Sequence, residues 1–225
     1  MSRPTTPEDV AAKEALMNAY FDKALERVSF VERLAAEGHE IESLTLCVVY
    51  LDGLSQLLSW PEKEVGRNFV QTLCSHDQSG YLSLIHPLQL IRAFDSMNRP
   101  WTPRARALET RYSGPPYSLM SREDASNAIG ETFSSKNEVA EVVRQLWRGT
   151  LAAVVYHWMR NPSVHGLGGS PRITFDETNF KDTCPPAISL GTLLPPLKEM
   201  LRQARERSLN RCEWFGDDRI VLPTK

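Results

Sequence analysis

The chain has 225 residues, 41% of them hydrophobic and 24% charged, with a formal net charge of −2. That length supports a sizeable core and fits one large domain spanning residues 1–225, while the near-neutral charge excludes a molecule that binds polyanions with its whole surface. The four cysteines, Cys47, Cys74, Cys184 and Cys212, are scattered without a Cys-x-x-Cys pair, so no zinc or redox motif and no cofactor is expected. No basic-then-apolar leader and no membrane-length apolar run are read, which gives a cytoplasmic expectation with no membrane contact.

A first helix is expected from Thr6 and Pro7, with Glu8 and Asp9 complementing its dipole. Val10, Met17, Phe21, Ala24, Val28, Val31 and Leu34 recur at helical spacing until Gly38, the expected stop. A second helix runs from about Glu40 to Ser59 with Leu44, Val48, Leu51, Leu54 and Leu58 inward, and Pro61 interrupts it. A short helix near Glu62–Cys74 follows, and Pro87 opens another that carries Leu88, Ile91 and Phe94.

Residues 98–120 read as an irregular basic and aromatic insertion, because prolines and turn residues break any period. Within it Arg99, Trp101, Arg104, Arg106, Arg111 and Tyr112 interleave cations with rings. Arginines contact phosphates and aromatics stack on unpaired bases, so this loop is a candidate for RNA or partner binding, against the plainer reading of a solvated loop. Ser121 to Asp124 has a capping-box pattern.

The main helix is expected from Lys136 onward. Val139, Val143, Leu146, Thr150, Ala153 and His157 step by threes and fours, and the next step lands on Arg160. Arg160 is therefore placed on the core seam, where a charge needs a partner or a charged ligand. Pro162 stops or kinks the helix there, which is needed to bring Arg160 and His165 together, since five residues of unbroken helix turn them about 140° apart. Arg172–Asp176 reads as a minor strand. Pro195 and Pro196 are expected to open a last helix with Leu197, Met200, Leu201, Ala204 and Leu209 on one face and Arg202, Arg205 and Arg207 on the other. The sum is an all-α bundle.

Arg160, Asn161 and His165 are the candidate catalytic residues. An arginine fork can hold a phosphate and a histidine can move a proton near neutral pH. The plainer alternative gives Arg160 and Asn161 capping roles and packs His165 in a turn. Arg33 and His39 also fit an Arg-x(4–6)-His spacing, but they straddle a charged helix end at Gly38. Asp52 lies on an otherwise apolar helix face and is either exposed or paired, with Arg160 or His165 as the partner. His76 with Asp77, and His86, are read as surface or capping residues, and Gly166–Gly169 as a flexible turn.

Arg160-Asn161-Pro162-Ser163-Val164-His165 resembles the Arg-x(4–6)-His motif of the HEPN superfamily in its Arg-Asn form, and the helix from Leu44 to Leu54 resembles an early helix of that family. The resemblance spans about residues 40–60 and 136–210. It implies a HEPN-like helical bundle that cuts single-stranded RNA without a metal, leaving a 2′,3′-cyclic phosphate, in a toxin–antitoxin or phage-defence setting. It also implies a homodimer with two motifs at the symmetry axis, an RNA substrate, an antitoxin or defence partner, and Asp52 as a supporting residue. The alternatives are a non-catalytic HEPN interaction or dimerisation module and an unrelated helical regulator.

Overall fold

The structure is a computed structural model that describes residues 7–58, 65–97, 99–105, 119–160 and 188–211. Among the described residues it is all-α, with only two isolated β-bridges. Helix α1 (Pro7–Ala36) stops at Gly38, whose φ of 88° is a left-handed conformation that glycine takes without strain. The Gly38 amide bonds to the Ala35 carbonyl at 3.0 Å and the His39 amide to the Leu34 carbonyl at 2.9 Å, the two bonds of a Schellman stop. The chain reverses at once into α2 (Glu40–Leu58). Then come α3 (Val65–His76), α4 (Pro87–Met97) and a single turn, α5 (Thr102–Ala105). Helix α6 (Arg122–Thr132) begins with the expected capping box: the Asp124 amide donates to Ser121 Oγ at 3.0 Å and the Ser121 amide to the Asp124 carboxylate at 3.3 Å.

The long helix expected from Lys136 to Arg160 is four elements instead. Helix α7 (Lys136–Arg144) passes into a 3₁₀ turn (Leu146–Gly149), then α8 (Leu151–Val154), then a π-helical turn (Val155–Arg160). Two residues cause the break. A Cβ on Gly149 would lie 2.6 Å from Leu90 Cβ and 3.0 Å from Leu90 Cα, so α4 and this turn meet backbone to backbone. Thr150 is extended and caps α8, its Oγ1 accepting from the Ala153 amide at 3.2 Å. Helix α9 (Leu190–Arg211) starts five residues before the expected point and carries Pro195 and Pro196 inside its second turn.

Two apolar cores result. The first lies between α1, α2, α3, α8 and α9 and contains Phe21, Val48, Leu51, Phe69, Leu151 and Leu197. The second contains Ile85, Phe94, Trp101, Ile129, Val142 and Leu146, from α4 to the 3₁₀ turn. Residues 84–86 join them. Ile85 exchanges both backbone bonds with Met120 at 2.8 and 2.9 Å, while Leu84 accepts from the Leu151 amide and His86 donates to Gly149, each at 2.9 Å. By length and composition α2 could cross a bilayer, which the sequence reading did not register. Its packing on α1, α3 and α9 makes it the central helix of the first core.

The Thr6 cap, Pro61, Cys184, Cys212, the Arg172–Asp176 strand and the turn Gly166–Gly169 lie outside the described residues.

Candidate functional site

Arg160 ends the π-helical turn. A π turn holds more residues per turn than an α-helix, so it resets the phase of the side chains that follow, and such turns recur at functional sites. Here the reset separates two residues expected on one seam: His157 is exposed, while Arg160 points to α2. Arg160 Nη2 donates to Asp52 Oδ2 at 3.0 Å, with the two side chains 14% and 16% exposed. The pair joins residues 108 apart in sequence. A charge on the core face of α2 is tolerable because its counter-charge arrives from the π turn.

Tyr156 completes the cradle. The Arg160 guanidinium lies over its ring, 5.4 Å from the centroid, within cation–π range. The same ring packs against Phe69 at 5.5 Å. Its position depends on Gly66 of α3, where a Cβ would stand 2.8 Å from Tyr156 Cε1. Tyr156 was not among the candidate site residues expected from the sequence. Its signal was the spacing, an aromatic one turn before an arginine. Asn161 and His165 lie outside the described residues, so two of the four proposed motif and supporting residues are seen together.

The basic loop differs from its expectation. Trp101 is 2% exposed and packs edge-on against Phe94 at 5.0 Å, so its ring belongs to the second core and is not offered to bases. Arg104 pairs with Glu138 and lies over the Phe133 ring at 5.4 Å. Arg99 is exposed. Arg106, Arg111 and Tyr112 lie outside the described residues. The arginine face of α9 is engaged too: Arg202 pairs with Glu199 and Glu206, and Arg205 with Asp22.

Arg33 lies over the Phe30 ring at 5.8 Å, and His39 is an exposed residue just past the α1 stop. His86 is buried, not superficial. It starts α4, with its Nδ1 accepting from the Gln89 amide at 3.4 Å, and burial followed by the charge of Arg92 pulls its pKa from 6.5 to about 4. His157, partly desolvated and near Arg148, is also lowered. Burial pushes the Cys47 thiol up to about 12, which leaves it an unreactive core residue.

A cavity of about 420 Å³ opens between the end of α3 and α9, beside His76, Tyr81, Thr192, Lys198, Glu199 and Arg202. Its two cations are committed, Lys198 to Glu32 and Arg202 to Glu199 and Glu206. No group of three or more His, Cys, Asp or Glu side chains could hold a metal ion among the described residues. Comparison with family models, with curated proteins and with solved structures gives no match for this chain.

Proposed function

We propose that the protein is a HEPN-type endoribonuclease that cuts single-stranded RNA without a metal, acting as a toxin or defence effector. One observation carries this reading: Arg160, the first residue of the Arg160-Asn161-x-x-x-His165 sequence, is held by Asp52 and Tyr156. An arginine fixed by its neighbours is preorganised to stabilise charge on a phosphorane, and its bond to Asp52 uses one of five N–H donors. His165 takes the proton from the ribose 2′-hydroxyl or returns one to the 5′-oxygen as it leaves. Asn161 orients the phosphate. The 2′-oxygen attacks phosphorus, the bond to the 5′-oxygen breaks, and a 2′,3′-cyclic phosphate remains. DNA lacks that nucleophile.

A dimer belongs to this reading. Tyr20 of α1 with Val49 and Leu57 of α2 are exposed apolar residues around a shallow groove of about 150 Å³, on the helix that also carries Asp52. A second copy on that face would bring two motifs toward one axis.

The test is a labelled, structure-free RNA incubated in EDTA, with end-group analysis of the products. His165→Ala is expected to lose two or more orders of magnitude of rate, roughly the scale of general acid–base catalysis. Arg160→Lys is expected to be poorly active, because lysine keeps the charge and loses the fork. Metal-dependent cleavage, 3′-hydroxyl ends or full activity in His165→Ala would refute the chemistry.

A second reading, a non-catalytic HEPN interaction module, is favoured by the same salt bridge: an arginine so largely enclosed and neutralised can serve packing alone. Folded protein without activity on any RNA, in which Asp52 and Arg160 contribute only to stability, would select it.

A further inference from the structure

On the side of the π turn that His157 occupies lies a pocket of about 270 Å³, lined by Gln89, Arg92, Ser96, Arg148 and His157 together with apolar residues of α8. Three properties set it apart. Among the described residues no carboxylate lines it. Arg92 is exposed, and neither it nor Arg148 has a carboxylate partner among the described residues. Arg148 is oriented instead by its own turn: Nε donates to Gln145 Oε1 at 2.9 Å, and the guanidinium lies 4.5 Å from the Trp147 ring centroid. Finally, Gln89 is 6% exposed, and its Nε2 is buried with no hydrogen-bond partner. A buried amide donor without an acceptor is costly, and it is retained where a ligand supplies the acceptor.

Two arginines, a histidine and an orphaned amide donor line one concavity that offers cations and N–H donors and, among the described residues, no acid; Ser96, which also lines it, already donates its hydroxyl to the Ala93 carbonyl at 2.7 Å. We infer that this pocket binds a phosphate group, either of a small phosphate ester or of a polynucleotide backbone. Phosphate fits better than a carboxylate because its oxygens diverge, so Arg92, Arg148 and Gln89 can each reach a different one. Arg92 and Gln89 come from α4, Arg148 from the 3₁₀ turn and His157 from the π turn, so an occupied pocket would clamp α4 to the segment that carries Arg160. The inference does not rest on the nuclease reading, and its test measures binding alone.

The test uses the full chain with inorganic phosphate, a 5′-mononucleotide and a structure-free decaribonucleotide, against chloride at equal ionic strength. Phosphate at a few times its Kd is expected to raise Tm by roughly 2–4 °C and to broaden its own ³¹P resonance. The double variant Arg92→Gln/Arg148→Gln should lose both effects. Gln89→Leu should melt higher than wild type in chloride, since the orphaned donor is gone, and should lose most of the phosphate shift. A decamer that binds far more tightly than the mononucleotide identifies the backbone as the source, and equal affinities identify the small ester. An equal phosphate shift in the double variant or in Gln89→Leu, or no shift beyond chloride in wild type, overturns the inference.

Discussion

Asp52 and Arg160 show how a single pair can tie the core to the proposed site. The carboxylate sits one residue from Leu51, which is fully buried, and would be a liability on that helix without the guanidinium. Asp52→Asn removes the charge and keeps the shape, and it should lower stability by about 2 kcal/mol, the scale of a hydrogen bond to a charged group. Arg160→Gln should cost a similar amount, and the double variant less than the sum, as denaturant titrations of a double-mutant cycle would show. Trp101→Ala should cost more, about 3–5 kcal/mol, because it empties a core site. A loop tryptophan would leave Tm almost unmoved.

His86 gives a pH signature. Its folded pKa lies near 4, below the ordinary 6.5, so the unfolded chain binds more protons between those values. Stability is therefore fully present above pH 6.5, falls as the pH drops through that window and levels off below 4. The loss from this one residue is about 3 kcal/mol. His86→Asn keeps a capping side chain and should flatten that part of the Tm-against-pH curve. A wild-type slope that survives in His86→Asn would assign the effect elsewhere.

At the scale of elements, the informative contrast is between two helix ends. The α1 stop was legible because Gly38 is the residue that a left-handed stop demands, and the α6 start because Ser121 and Asp124 stand three apart. The break at Gly149 and Thr150 was hidden by a coincidence of spacing. Val142 and Leu146 face the second core and Ala153 faces the first, yet the steps between apolar positions stay at three and four across the boundary. Periodicity reports that a residue is buried, not which core it is buried in. Gly149 followed by threonine, a stop and a cap, was the overlooked signal. For Asp52 the sequence left exposure, Arg160 and His165 open; the need of a buried charge for a partner argued for pairing without choosing the partner, which in the structure is Arg160. Trp101 was misjudged because its neighbours Arg99, Pro100, Pro103 and Arg104 are exposed and hid a core ring among them. Gly149→Ala should be among the most damaging small substitutions, since the new methyl meets the backbone of α4 as well as the Leu90 side chain. Gly66→Ala should be milder, because Tyr156 can tilt. If Tyr156 tilts, it leaves the Arg160 guanidinium, so any RNA cleavage should fall more than Tm does.

At the scale of the whole molecule, the proposed dimer makes a mass prediction. Light scattering at micromolar concentration should report about twice 25.5 kDa. Leu57→Asp, placed on the exposed apolar face of α2, should return it toward the monomer without unfolding it. A wild-type monomer would count heavily against a composite active site.

The junction at residues 84–86 has a kinetic consequence. In a helical protein the slowest amide hydrogens to exchange with solvent usually belong to the middle of buried helices. Here Ile85 and Met120 bond to one another inside the second core, while His86 and Leu151 donate to Gly149 and Leu84 where the two cores meet, so none of the four can open while both cores hold. Their exchange should follow global unfolding, with protection equal to that of central α2 amides such as those of Val48 and Leu51. Two segments that look like loops in sequence would then be among the last parts of the molecule to let deuterium in.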